Sequence, residues 1–202
     1  MHANVGVGSH IWPHGRWRID VPGEANHAGT TALDDRRDAM LGFAAAVIAA
    51  RRAAQSRGCV ATVGKVRATP NGVNAIPSEV TGWLDARGES EAAVHQVVAD
   101  VTEVMADFQA TVREESWTPT TAFDDALVRR LASRLGGIPV LGTGAGHDAG
   151  ILAGAGVRAA MLFVRNPTGI SHSPEEFAEE ADCLAGVDAL TRVLADLTGA
   201  TP

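Results

Sequence analysis

Five short stretches of the chain hold side chains able to do chemistry. GEANHAGTT sets His27 among glycine, alanine and threonine, where an imidazole can reach a ligand carbonyl as an electrophile or oxyanion donor. PNGVNAIP offers Asn74, whose amide both donates and accepts toward an amide or ureido group. LDAR offers Arg87 at the end of a strand, and a guanidinium fork binds a carboxylate bidentately. GTGAGHDAGI is a glycine-rich turn with Gly146, His147 and Asp148 entering a helix, whose free N–H groups favour an anion. GISHSPEE puts His172 on a loop after an apolar strand, where α/β sites tend to lie.

Each stretch also has a plain structural reading. His27 fits a surface loop, Asn74 a turn, Arg87 a surface cation, and Asp148 a helix cap beside a structural histidine. The glycine turn is neither a dinucleotide fingerprint, since no long βαβ unit with a downstream acid follows, nor a P-loop, since no Lys-Ser/Thr follows. His172 has no HxH, HxxEH or CxxC neighbour to complete a zinc site of three or four ligands.

The elements that must position these residues fall into two rhythms. RWRIDV (16–21), CVATVGKVRAT (59–69), EVTGWLDAR (79–87) and TVREESW (111–117) read as strands. Between them, 36–55 and 89–110 read as helices, the first capped by Asp34 or Asp35 and ended by Gly58. The order β-α-β-β-α-β over about 16–117 fits a ferredoxin-like sandwich, a four-stranded sheet with two helices on one face. After that come a helix (123–135), a short strand (138–144), a short helix (146–156), a buried strand (159–164) and a closing helix (182–199). This α/β alternation supplies two strands to a sheet that needs neighbours.

The chain has 202 residues, enough for one full domain or two small ones. Its net charge of -7 and its lack of a Lys/Arg-rich block argue against nucleic acid or anionic membrane as partners. Two cysteines make no disulfide framework and suggest a reducing, cytoplasmic setting. The opening residues lack a basic start and an apolar run with a cleavage site, and Met40 to Ala50, the longest apolar stretch, is too short to span a bilayer.

Taken in order, GEANHAGTTALDDRRDA, PNGVNAIPSEVTGWLDAR, GTGAGHDAGIL and MLFVRNPTGISHSPEE resemble the hydantoinase/carbamoylase group of amidohydrolases. That group holds N-carbamoyl-L-amino acid hydrolases, allantoate amidohydrolases and β-ureidopropionases, within the two-metal aminoacylase/carboxypeptidase superfamily. The resemblance implies an α/β fold: a lid or dimerisation domain (16–117), followed by the C-terminal portion of a metallohydrolase catalytic domain (118–202), with residues 1–15 a remnant of that domain. It implies hydrolysis of a ureido or amide C–N bond by metal-activated water, on a small substrate that also carries a carboxylate. It gives His172 as the last metal ligand and His27 as a lid histidine that holds the scissile carbonyl and reaches a partner's site in dimers. Asn74 and Arg87 become substrate-gripping residues, with Gly146 and His147 lining the pocket. A homodimer through the lid and a divalent metal (zinc, manganese, cobalt or nickel) are implied as well.

The departures from that pattern are large. The group's N-terminal half carries a histidine, a bridging aspartate, a glutamate pair with the general base, and a second histidine. None has a match here, and Ala32 stands where proline is usual. The expectation is a chain that is inactive alone, with an incomplete metal set, an unfilled sheet edge and exposed apolar surface. A second reading, from another class, is a non-catalytic dimerisation or regulatory module. A third makes His2, His10 and His14 replacement ligands, against which stand their irregular spacing and their place before a strand.

Overall fold

The computed structural model describes residues 3–200, so His2 lies outside the described residues. The strands and helices run in this order: β1 (Val5–Ile11), β2 (His14–Pro22), β3 (Asn26–His27), α1 (Ala39–Ser56), β4 (Val60–Thr69), β5 (Ala75–Ile76), β6 (Glu79–Arg87) and α2 (Glu91–Ala106). There follow β7 (Thr111–Thr118), β8 (Thr121–Ala122), α3 (Asp125–Arg134), β9 (Val140–Thr143), α4 (Asp148–Gly154), β10 (Met161–Val164) and α5 (Glu180–Thr198). The chain divides into two compact units, 12–120 and a second made of 1–11 with 121–202.

In the 12–120 unit the sheet order is β4-β6-β2-β7, every pair antiparallel. That order and the β-α-β-β-α-β succession make the ferredoxin-like sandwich expected of the lid. Alternation along β6 turns Val80, Gly82, Leu84 and Ala86 inward, all buried. The buried positions of α2, at Val94, Val97, Val101 and Met105, recur every three or four residues. Those of α1 are Ala39, Gly42, Ala46, Ala50, Ala53 and Ala54. Small residues let α1 lie close: a Cβ at Gly42 would stand 2.7 Å from Val21 Cγ1 and 2.9 Å from the Phe108 ring.

The caps correct one expectation. Asp38, not Asp34 or Asp35, caps α1 by accepting from Met40 N at 2.9 Å. Asp34 and Asp35 lie in a short 3-10 turn, Leu33–Asp35, where the sequence suggested a loop running straight into the helix. Gly58 does end α1: at φ +64 it lets Cys59 N donate back to Ala54 O at 2.9 Å.

In the other unit β1 is the central strand. It pairs antiparallel with β10 and β8 and parallel with β9. The sequence reading found only β9 and β10 here, because VGVGSHI carries two glycines in a form that strand propensity disfavours. The structure shows why a glycine fits: a Cβ at Gly8 would meet Met161 Cβ at 3.1 Å and the Phe163 ring at 3.3 Å. The second core gathers Val7, Ile11, Val128, Leu131, Ala149 and Val193, among others. β10, expected to be buried, is only half-covered, with Val164 40% exposed. Both cysteines, Cys59 and Cys183, are free. No helix among the described residues is long and apolar enough to cross a membrane.

All four tryptophans (Trp12, Trp17, Trp83, Trp117) belong to the 12–120 unit, so intrinsic fluorescence reads its unfolding alone. Leu84 is fully buried at its centre. Leu84→Ala should lower that unit's stability by about 2–5 kcal/mol in a urea titration followed by fluorescence. A change under about 0.5 kcal/mol would contradict this core.

Candidate active-site residues

His27 and Asn74 are brought together by a two-stranded tongue. β3 pairs antiparallel with β5, His27 opposite Ala75, and Ala28 N donates to Asn74 O at 2.9 Å. Both residues are exposed. His27 Nδ1 accepts from Gly29 N at 3.1 Å, which puts the neutral ring's proton on Nε2 and leaves Nε2–H as a donor. The turn after His27 is tight: Thr30 N and Thr31 N reach His27 O at 3.3 and 3.2 Å, and Thr31 Oγ1 donates to the same oxygen at 2.8 Å.

Arg36 fastens that turn, and sequence reasoning missed it. Its Nη2 donates to Ala28 O at 2.6 Å and Thr31 O at 3.0 Å, and its Nε to Thr31 O at 3.2 Å. The signal was present, an arginine one turn past HAGTT, but the residue was counted as part of the next helix. It instead lies ahead of α1, at the end of the 3-10 turn.

Arg87 ends β6, opposite His14, whereas the tongue joins the sheet at the other end, where Glu79 faces Pro22. Eight residues of extended chain separate Glu79 from Arg87, roughly 26 Å. The guanidinium is engaged: Nε donates to Asp85 Oδ1 at 2.8 Å and Nη2 to Asp85 Oδ2 at 2.6 Å. The structure thus unites His27 with Asn74 but sets Arg87 at the far end of the sheet.

In the other unit, Gly146 and His147 sit exposed in the turn between β9 and α4. His147, rather than Asp148, caps the helix, its Nδ1 accepting from Ala149 N at 3.0 Å. With seven residues and its first turn capped by a histidine, α4 offers no anion site of the kind the glycine-rich turn suggested. No other atom stands within 4 Å of a Cβ built at Gly146, so the turn is open there.

His172 sits exposed on the loop between β10 and α5, at φ 59. Its backbone N–H donates to Glu176 Oε2 at 3.0 Å, while Glu176 N donates to Ser173 O at 3.0 Å. That reciprocal clasp holds the histidine in the left-handed region, which non-glycine residues rarely take. The Ser173 hydroxyl donates to Glu175 and holds that carboxyl below the usual range. The loop's ends are tied by Arg165 Nε to Asp182 Oδ2 at 2.9 Å, with Asp182 fully buried.

Among the described residues, no group of three or more His, Cys, Asp or Glu side chains could hold a metal ion. His172 alone does not make a metal centre. His10 and His14 gain no such role: His10 Nδ1 bonds Ser9 Oγ at 2.8 Å, and His14 Nδ1 bonds the Trp12 carbonyl at 3.0 Å.

The profile of Peptidase family M20/M25/M40 matches residues 6–196. The chain belongs to this family. Members of the M20 family are generally metal-dependent. The chain is 30% identical over 206 residues to an allantoate amidohydrolase of Escherichia coli K12, covering 96% of this chain and 50% of that protein. It is 32% identical over 198 residues to an N-carbamoyl-L-amino acid amidohydrolase of Geobacillus stearothermophilus, covering 92% and 47%. Among solved structures, a hydantoinase/carbamoylase family amidase from Burkholderia vietnamiensis superposes with a TM-score of 0.86 at 31% identity, covering 96% of this chain and 49% of that one. The chain therefore spans about half the length of the relatives it matches.

Arg36→Ala removes three charge-assisted bonds from the His27 turn. It should cost the turn about 1–2 kcal/mol of local stability and speed amide exchange at Ala28 to Thr31 about 5–30-fold. Hydrogen exchange read by NMR checks this; unchanged rates would mean the turn holds without Arg36.

Proposed function

We propose that this chain is part of a metal-dependent hydrolase that cleaves the C–N bond of a linear ureido or amide compound carrying a carboxylate, and that it is inactive alone. N-carbamoyl-L-amino acids and allantoate both have that chemistry. The observation that supports the reading is the β3–β5 tongue, whose backbone pairing brings His27, with an Nε2–H donor, and Asn74 to neighbouring positions. One donates to a carbonyl, and the other donates and accepts toward a ureido group.

In this reading Arg87 takes the carboxylate, with Asp85 orienting its fork. Gly146 and His147 line the pocket, and His172 is a metal ligand. The metal would supply an activated water, and its remaining ligands lie outside the described residues.

A substrate of this size cannot touch the His27–Asn74 tongue and Arg87 in one chain when roughly 26 Å of strand lies between them. The reading therefore needs a second copy to supply one of the two sets. Two surfaces of the 12–120 unit support such pairing. β4 is a ten-residue edge strand, paired only with β6 among the described residues. On α1, Leu41 and Ile48 are 66% and 52% exposed, two turns apart on one stripe.

The second reading, a non-catalytic dimerisation module, draws on the same two surfaces and on the lack of a metal-holding group among the described residues. The two separate in one experiment: metal content of the purified chain by elemental analysis, with ammonia release from N-carbamoyl-L-amino acids and from allantoate under added zinc, manganese, cobalt or nickel. The expected result is near-zero metal and no ammonia from the chain alone, and ammonia once the remaining half of the family's length is supplied. Ammonia from the chain alone, with about two metals retained, contradicts its inactivity. No ammonia in either case favours the module.

A further inference from the structure

A second arginine stands beside Arg87. Along β2, Gly15, Trp17, Ile19 and Val21 are buried, so His14 and Arg16 stand on the face of the sheet turned away from the helices. Asp85 and Arg87 stand on the same face of β6. Arg87 lies opposite His14, and Asp85 opposite Arg16. The two arginines are thus diagonal neighbours on adjacent strands, about 7–8 Å apart and within the reach of long side chains.

One carboxylate serves both cations. Asp85 accepts from Arg87 Nε at 2.8 Å and from Arg87 Nη2 at 2.6 Å, one bond on each oxygen. Arg16 Nε stands 3.6 Å from Asp85 Oδ2, beyond hydrogen-bond distance, and its side chain is 67% exposed. No other acid stands in these two rows of the sheet among the described residues. Arg87 is flanked by Val60 and His14, with Thr118 beyond, and the Asp85–Arg16 pair by Thr62 and Ser116.

The neighbouring rows repeat the shortage. Asp20 is shared by Arg18, at 2.8 Å, and Arg113, at 3.5 Å. Lys65 lies 4.1 Å from the centre of the Trp83 ring, and Glu115 is turned to the same residue, accepting from Trp83 Nε1 at 3.3 Å. A chain of net charge -7 therefore gathers cations on one sheet face.

We propose that Arg16 is a specificity-determining residue that takes a second carboxylate, so that the favoured substrate is an N-carbamoyl or N-acyl derivative of an acidic amino acid, aspartate or glutamate. The proposal rests on Arg87 holding the first carboxylate, as read above. Asp85 is already forked by Arg87, so Arg16 gains a fork of its own only from an incoming anion. In aspartate and glutamate a short aliphatic link separates the two carboxylates, which suits two guanidiniums set diagonally across neighbouring strands. Allantoate has a single carboxylate and leaves Arg16 without an anion.

The test titrates N-carbamoyl-L-glutamate and N-carbamoyl-L-glutamine into the full 202-residue chain and follows the arginine Nε–H signals by NMR. The two ligands share one shape and differ by one negative charge. The glutamate ligand should bind about 3–10-fold more tightly. It should shift the signals of both Arg16 and Arg87, whereas the glutamine ligand shifts Arg87 alone. Arg16→Gln should bring the two ligands to one affinity. Arg16→Lys should restore part of the difference, since lysine keeps the charge without the fork. Added salt should shrink the difference, as it does for exposed charges. Equal affinities in the unaltered chain, or a preference that survives Arg16→Gln, overturn the proposal and leave the reading of Arg87 standing. Binding of neither ligand, or binding that Arg87→Gln leaves unchanged, sinks the reading of Arg87 and this proposal with it.

Discussion

The length and register of β6 constrain everything else in the 12–120 unit. As an inner strand of the sheet it pairs with β2 on one side and β4 on the other over nearly its whole length. That register fixes Arg87 at one end of the sheet and the β3–β5 tongue at the other, because both tongue strands lie within a few residues of the Pro22–Glu79 pair. Leu84 and its inward neighbours lock the register, since a slip of one residue would turn a buried face to water. Within one chain, a small molecule therefore cannot touch both ends of the sheet.

Four of the candidate residues, His27, Arg87, His147 and His172, share a second trait: each sits in a loop or at a strand end and is held by neighbouring groups. Arg36 fastens the His27 turn through backbone carbonyls. Asp85 forks Arg87. Ala149 N fixes the His147 ring, and Glu176 fixes the His172 backbone. These bonds fix the backbone around His27 and His172 and the side-chain direction of Arg87 and His147.

Much of the fold was legible because the 12–120 unit is locally consistent. Its strands alternate, its helices repeat every three or four residues, and Gly58 stops α1 where a left-handed residue is needed. β1 was not legible. Its Gly8 packs tightly against Met161 and Phe163, which lie some 150 residues away in sequence and which no local pattern announces. The cap of α1 was misassigned among Asp34, Asp35 and Asp38 because all three are good caps, and only the 3-10 turn ahead of the helix decides between them. The six candidate residues were found by type and motif. That Arg87 stands apart from His27 and Asn74 could not be seen without the strand register, and Arg36 could not be seen without the turn it closes.

The mass of the purified chain in solution tests most directly whether a second copy is built into this arrangement. Sedimentation equilibrium should give twice the 20.9 kDa of one chain, and Ile48→Glu on the exposed stripe of α1 should return it to 20.9 kDa. A mass of 20.9 kDa for the unaltered chain at every concentration would leave the His27–Asn74 tongue and Arg87 with no common substrate, and would contradict the account.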